Sequence, residues 1–295
     1  MIIQFFRNPK LLFLLLIILC SCNDGYRKNE SNKMLIVPSH RSDSTESNPP
    51  QQQVILLNDW EKENIKGKPL SMRQEEFEYL TDSAIGDRTG KNSETLEFND
   101  YGLVEKTFIY DKNNNLDSRA HTYFSESNKK TRKVFYNRSN SVELEIVYYY
   151  NGIGQNDSTV FLFSDNRHTA QRSVYDISGH EVITTMYNFE NSRTQTIHTT
   201  YLNKHKKKLV MLDKNNIPFA ICKYENDVNG NPIKEYYLSG SNILVEEYSN
   251  EYTYDELGNW VLKKTYLDSI YVRTTENQDK RKGPSKVISR TFRYN

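Results

Sequence analysis

The sequence predicts an all-β protein: a long antiparallel meander of hairpins that curls into a single sheet or an open barrel or shell. Three observations carry this expectation. A short turn-forming unit recurs along most of the chain, the residues between its copies alternate polar and apolar with a period of two, and the composition favours strands. Tyrosine accounts for 21 of 295 residues and phenylalanine for 13, against only 12 glycines. Aromatic and β-branched side chains fit a pleated, half-buried surface better than a helix.

Before this region the chain carries an export signal. Arg7 and Lys10 precede an unbroken apolar run, Leu11 to Leu19. That is the basic and apolar layout of a signal peptide, and it is too short for a helix spanning the bilayer, which needs about 20 apolar residues. Leu19-Cys20-Ser21-Cys22 is similar to a bacterial lipobox. The resemblance implies cleavage after Ser21, diacylglycerol and palmitate on Cys22, and an outer-membrane, lipid-anchored location in the cell envelope. Residues 1-21 are then the signal peptide, and no later stretch reaches a spanning length of apolar residues.

Residues 22-55 form the lipidated N-terminus and a polar tether. They are rich in Ser, Asn, Gln, Pro and charge, and include Asn48-Pro49-Pro50-Gln51-Gln52-Gln53. Such composition cannot bury enough apolar surface to order itself. The remainder, 56-295, is expected as one all-β repeat domain. Leu56 to Glu63 reads as one or two helical turns, Ile65 to Ser71 as a turn, and Met72 to Leu80 as the first strand.

From there one unit repeats: an aromatic or large apolar residue, Asp or Asn, two or three polar residues, often Gly or Asn, then an apolar residue. Copies begin at Phe98, Tyr110, Tyr136, Tyr175, Leu212, Tyr224 and Tyr254. Phe98 to Tyr110 is 12 residues and Tyr110 to Tyr136 is 26, near one and two lengths of a strand plus a tight turn. In Val142 to Tyr148 the residues Val142, Leu144, Ile146 and Tyr148 share one face. In Glu246 to Tyr254, Tyr248, Tyr252 and Tyr254 oppose Glu247, Ser249, Glu251 and Thr253. One sheet face is expected buried and the other wet.

These units, clearest in Tyr254-Asp255-Glu256-Leu257-Gly258-Asn259-Trp260, resemble the YD-repeat hairpins of Rhs-type proteins and teneurins. The resemblance spans Leu96 to Tyr266, with Gly absent from the copies at Tyr110, Tyr136 and Leu212. It implies a meander that curls into a shell. The whole layout, lipobox, tether and YD-like hairpins, is also similar to envelope lipoproteins of Gram-negative bacteria, a likeness that brings location and shape but no activity.

Nothing in the sequence assembles a catalytic or metal centre. The six histidines, His40, His121, His168, His180, His198 and His205, have no ligand-pair spacing, so neither metal nor cofactor is expected. Asp111 to Asn115 imitates the start of a calcium loop, but Leu116 stands where the turn glycine belongs, and it reads as a hairpin. After processing only Cys22 and Cys222 remain, so no intrachain disulfide framework is possible, and Cys222 reads as an inert packing residue. The mature chain keeps 37 basic against 38 acidic residues once Arg7 and Lys10 are removed, which argues against nucleic acid as a partner. Lys204-His205-Lys206-Lys207-Lys208 reads as a charged hairpin tip that could also meet anionic headgroups or acidic glycans.

The sequence therefore points to a non-catalytic envelope lipoprotein, held to the lipid bilayer through acylated Cys22, acting as a binding or structural module for a protein or glycan. Tyr248, Tyr252, Tyr254 and Trp260 are the candidate aromatic binding face. Core and cross-strand ladder is the simpler reading of the same residues. The alternatives are an enzyme acting on envelope polysaccharide, which needs converging carboxylates, and an immunity or encapsulation protein, which needs a large closed cavity.

Overall fold

A computed structural model describes residues 58–81, 84–89, 93–270 and 284–294. The signal peptide, Cys22 and the whole of the expected tether lie outside these residues. The domain opens with a one-turn helix, α1 (Asp59–Lys62). Seventeen strands follow: β1 (Ser71–Thr81), β2 (Ala84–Arg88), β3 (Glu94–Phe98), β4 (Val104–Tyr110), β5 (Leu116–Phe124), β6 (Lys130–Asn137), β7 (Val142–Tyr150), β8 (Asn156–Phe163) and β9 (His168–Tyr175), then β10 (Glu181–Tyr187), β11 (Arg193–Leu202), β12 (His205–Asp213), β13 (Pro218–Asn226), β14 (Pro232–Ser239), β15 (Leu244–Tyr254), β16 (Trp260–Ile270) and β17 (Lys286–Arg293).

From β3 to β17 each strand pairs antiparallel with the next, as the meander expectation requires. The sheet does not stay open. On one edge β1 takes β17, with Ser71 opposite Arg293 and Phe77 opposite Val287. On its other edge it takes β3 over Ser71 to Gln74, and β2 beyond that. β1 and β3–β17 thus close a barrel of sixteen strands, and β2 is a short extension of β1. The curled-sheet or open-barrel expectation is corrected here: the pairing that closes the ring joins residues more than 200 positions apart, a contact no local pattern encodes.

The hairpins share one geometry. In twelve of the connections, such as Asn99–Leu103 and Asp255–Asn259, the first residue's N–H donates to the fifth residue's carbonyl and the fourth residue's N–H donates to the first's. The fourth residue always has positive φ and is either Gly or Asn. This is a type I turn closed by a left-handed bulge residue, whose twist suits the flanking strands. The acidic or amide residue of the repeat has a mechanical role. In nine turns the first residue is Asp or Asn, and its side-chain oxygen accepts the N–H groups of the third and fifth residues; Asp111, for example, accepts from Asn113 at 2.9 Å and Asn115 at 2.8 Å. The resemblance to a calcium loop in that segment is this turn. The glycines missing from the copies at Tyr110, Tyr136 and Leu212 are replaced by left-handed Asn114, Asn140 and Asn216, since Asn tolerates that region better than other side chains.

The two barrel ends differ. α1 and the segment to Leu70 form a strap across the end where β1 begins and β17 finishes. A capping box, Asn58 with Glu61, starts the helix. The N–H groups of Asp59 and Trp60 donate to the Gly102 carbonyl, while the Asp59 carboxylate accepts from Val104 N–H at 2.7 Å and from Lys130 Nζ. Further along the ring the strap is tied to Asn229 and Asn259; Lys66 N–H donates to Asn259 Oδ1 at 2.7 Å. Trp60, Ile65, Met72, Leu96 and Phe98 make the apolar cluster beneath it. Among the described turns, most left-handed positions at the strap end are Gly (102, 154, 179, 230, 258), whereas the six at the far end are Asn (114, 140, 166, 191, 216, 242). A Cβ on Gly102 would lie 2.3 Å from the Trp60 ring, and one on Gly258 would lie 3.0 Å from Lys66 Nζ. At Gly102 and Gly258 glycine leaves room for the strap, while at Gly230 it leaves room for the His205 ring.

Candidate functional site

Following the cross-strand registers around the ring assigns every strand residue to one of two faces. One face carries Met72, Leu96, Ala120, Leu144, Ile146, Phe161, Ile197, Met211 and Cys222, all buried, together with charged groups under cover: the Arg290 side chain is 8% exposed, Glu235 16% and Lys263 19%. This is the lumen face. The opposite face holds Lys106, Arg132 and Lys234 at 41–46% exposure and is the outer wall. The expectation of a buried and a wet face is right in kind but incomplete, because the buried face is itself studded with charge and hydroxyls. Val142, assigned with Leu144 and Ile146, is instead 45% exposed. A register irregularity beside the turn, between Phe135 and Tyr136 of the partner strand, takes it out of the pattern.

The predicted aromatic set lies along β15 and the start of β16. Tyr248, Tyr252 and Tyr254 are on the lumen face, as their common parity predicts. Ring centroids are 6.1 Å apart for Tyr252 and Tyr254 and 5.9 Å for Tyr252 and Trp260, with Arg290 3.8 Å over the Trp260 ring. Tyr248 is buried, donates to Glu246 at 2.6 Å, and meets Tyr237 edge-on at 5.6 Å. Tyr252 donates to the Pro232 carbonyl at 3.0 Å, and Tyr254 donates to Asp227.

At the centre of this wall stands a pair that the sequence reading missed. Glu235 accepts from Lys263 at 3.3 Å, from Asn250 Nδ2 at 2.8 Å, and its other oxygen accepts from Tyr237 at 3.0 Å. Burial alone would raise the Glu235 carboxyl, but Lys263 and the two neutral donors hold it below the usual carboxylate range. Burial depresses the Lys263 ammonium, with Glu235 opposing. The available signal was weak: Glu235 and Lys263 occupy lumen positions among Tyr residues, but only the register puts them on adjacent sides of β15.

A second lumen cluster lies by the strap. Asp59 pairs with Lys130; burial would raise its carboxyl, and Lys130 brings it below the ordinary value. Glu181 accepts from Thr184 at 2.9 Å and Gln171 at 3.1 Å, and His180 stacks on Tyr201 at 4.5 Å. Burial first, then nearby acids, push the Tyr201 phenol up to about 12 and raise those of Tyr148 and Tyr175 as well. Burial also pushes the Cys222 thiol up to about 12. The buried phenols are hydroxyl donors at neutral pH and Asp59 is paired with Lys130, an arrangement that suits hydrogen bonding and stacking. Among the described residues no group of three or more His, Cys, Asp or Glu side chains converges to hold a metal ion.

The outer wall is built from opposite charges and capped aromatics. Lys106 meets Glu97 at 3.1 Å, Arg132 meets Glu145 at 3.4 Å and Lys234 meets Glu247 at 3.6 Å. Arg73, Arg119 and Arg172 lie over the rings of Tyr110, Tyr136 and Tyr187 at 4.7, 5.4 and 5.7 Å.

No family model and no curated protein sequence matches the chain. Among solved structures it is similar to a porin-like protein from Bacteroides uniformis, with 10% identity and a TM-score of 0.45, covering 77% of this chain and 98% of the other. It is also similar to a porin-like protein from Bacteroides vulgatus, with 14% identity, a TM-score of 0.32 and the same coverages. Superposition at this level carries no functional argument.

Proposed function

We propose that the protein is a non-catalytic cell-envelope lipoprotein, held to the outer membrane by acylated Cys22, whose barrel stands in water as a binding or structural module for a protein or glycan. The observation that carries this reading is the chemistry of the outer wall. A barrel that crosses a bilayer turns an apolar band outward, and each Arg or Lys on the lipid face costs roughly 2–4 kcal/mol at mid-depth. Lys106, Arg119, Arg132, Lys208, Lys223, Lys234 and Lys264 all fall on the outward parity. With the smaller cost of the residues nearer the rims allowed for, seven such residues would still cost on the order of 10 kcal/mol, comparable to the whole stability of an ordinary domain. In water the same residues contribute solubility and cross-strand pairing.

The non-catalytic part rests on the lumen, where Glu235, Asp59 and Glu76 are engaged with Lys263, Lys130 and Lys286. An encapsulation role is disfavoured by the same lumen, since the barrel's own side chains project into it.

The test replaces residues 1–22 by a secretory signal with its own cleavage site, so that loss of Cys22 leaves no uncleaved apolar segment on the chain, in cells labelled with palmitate, followed by fractionation and a high-salt wash. Label is expected to disappear and the chain to move to the soluble fraction. A variant that stays in membranes even after alkaline carbonate extraction, which strips peripherally docked protein, is a membrane-embedded barrel, and the proposal fails. Incubating the purified mature chain with envelope polysaccharide should release no new reducing ends; release would establish the enzyme alternative.

A further inference from the structure

The two rims of the barrel present different chemistry. At the strap end six of the seven hairpin connections carry an exposed apolar side chain at or beside the tip: Tyr101, Ile153, Ile177, Leu202, Val228 and Leu257. Ile177 is 80% exposed and Val228 98%. At the far end the corresponding tip positions are polar, as in Lys112-Asn113, Arg138-Ser139 and Lys214-Asn215, with Phe189 the exception. Other exposed apolar residues of that end, Leu116, Val142, Ile217, Phe219 and Ile243, sit at the bases of strands and not at the tips.

The strap rim carries a local basic cluster, whereas the exposed basic residues of the far tips, Lys112, Arg138, Arg167 and Lys214, are spread singly, with Arg138 and Arg167 paired to acids. The connection between β11 and β12 brings exposed Lys204, Lys206 and Lys207 beside Leu202, and the strap adds exposed Lys66 and Lys68. The chain enters the described domain at this rim, at Asn58, and 36 residues separate that point from Cys22. Thirty-six residues can reach at most about 120–130 Å, several times the length of a nine-residue strand at about 3.3 Å per residue. Such a tether lets either rim approach the bilayer, so rim chemistry decides which one does.

We infer that the strap rim is a membrane-docking surface: the apolar tips of its hairpins insert into the interfacial region of an anionic bilayer, and Lys204, Lys206 and Lys207 meet its headgroups. Apolar side chains flanked by lysine are the composition that favours an interfacial position, binding by buried apolar area plus attraction to anionic lipid. The occupant is identified partly by the anchoring proposed above, which would hold the rim close to lipid and raise its effective concentration there. The docking itself needs no acyl chain.

The test therefore uses the full mature chain with Cys22→Ser, so that loss of lipidation and loss of docking are separate results. Sedimentation is measured with vesicles of phosphatidylethanolamine and phosphatidylglycerol, and with phosphatidylcholine alone. The chain should sediment with the anionic vesicles and weakly with the zwitterionic ones. K204E/K206E/K207E should reduce the partition coefficient on the order of a hundredfold, from the loss of three lysine–headgroup attractions. Ile177→Asp with Val228→Asp should reduce it by at least about tenfold, while Phe189→Asp at the far rim leaves it unchanged. Circular dichroism confirms that each variant folds; both substituted tips are solvent-exposed. As an independent readout, Tyr101→Trp fluorescence should be quenched by brominated acyl chains. The inference is overturned if the chain ignores anionic vesicles, if Phe189→Asp weakens sedimentation as much as the strap-rim variants, or if ultracentrifugation shows the apolar tips buried in a dimer that the Asp substitutions dissociate.

Discussion

Gly102→Ala should destabilise the barrel by about 2–5 kcal/mol and loosen the strap. Gly102 has φ +75°, where an L side chain costs roughly 1–2 kcal/mol. The added Cβ would sit 2.3 Å from Trp60 Cε3 and 2.5 Å from Cδ2, so the ring must retreat by about 1–1.5 Å to reach ordinary contact. That retreat pulls on a residue only 8% exposed, packed at 5.9 Å centroid distance on Phe98, and on the two N–H bonds to the Gly102 carbonyl. Full loss of a buried Trp costs about 3–5 kcal/mol, which sets the upper bound. The measurement is guanidinium unfolding of Gly102→Ala beside Asn140→Ala, a far-end turn residue with φ +61° and open surroundings. Asn140→Ala should lose about 1 kcal/mol or less, since only the backbone preference changes. Trp60→Ala added to Gly102→Ala should cost less than the sum of the two, because one substitution removes the clash made by the other. Equal losses for Gly102→Ala and Asn140→Ala would refute the idea that glycine marks the strap end.

Lys263→Met should cost about 3–5 kcal/mol by leaving the Glu235 carboxylate under cover without its cation, and adding Glu235→Gln should recover most of it, measured by thermal or chemical unfolding. Because the folded Glu235 carboxyl titrates below its ordinary 4.5, its contribution is present above that pH and is lost as the pH falls through the lower folded value. Acid unfolding of the parent should steepen below about pH 4.5, and the double variant should show a smaller dependence. The Cys222 thiol should resist iodoacetamide at neutral pH in the folded chain and react fully in denaturant; ready labelling of the folded chain would show that β13 opens.

Much of the hairpin scale was legible in the sequence because the turn unit is local: Asp255 and Gly258 satisfy their own backbone within five residues, and so do Asp111 and Asn114. The alternation that put Tyr248, Tyr252 and Tyr254 on one face was legible for the same reason. Which side of the barrel that face becomes was not, since it depends on closure, and closure depends on β1 meeting both Leu96 and Phe292 through Met72. The Glu235 and Lys263 pair was hidden because a charged residue in a half-polar strand looks the same whether it faces water or a lumen. The strap was visible as a short helix, but its contacts with Gly102, Asn229 and Asn259 join parts of the chain up to 193 residues apart.

The keystone role of β1 also has a kinetic side. Every strand from β3 to β16 can find a partner as soon as its sequence neighbour exists, but β1 has one vacant edge until β17, which ends at Arg293, arrives. A chain emerging N-terminus first therefore carries two unsealed strand edges, one on β1 and one on the newest strand, until β17 has been made. Such edges template pairing with other chains. Removing β17 would leave both exposed permanently, so deleting residues 286–295 should convert a closed barrel into an aggregating sheet with nearly all of its hairpins intact.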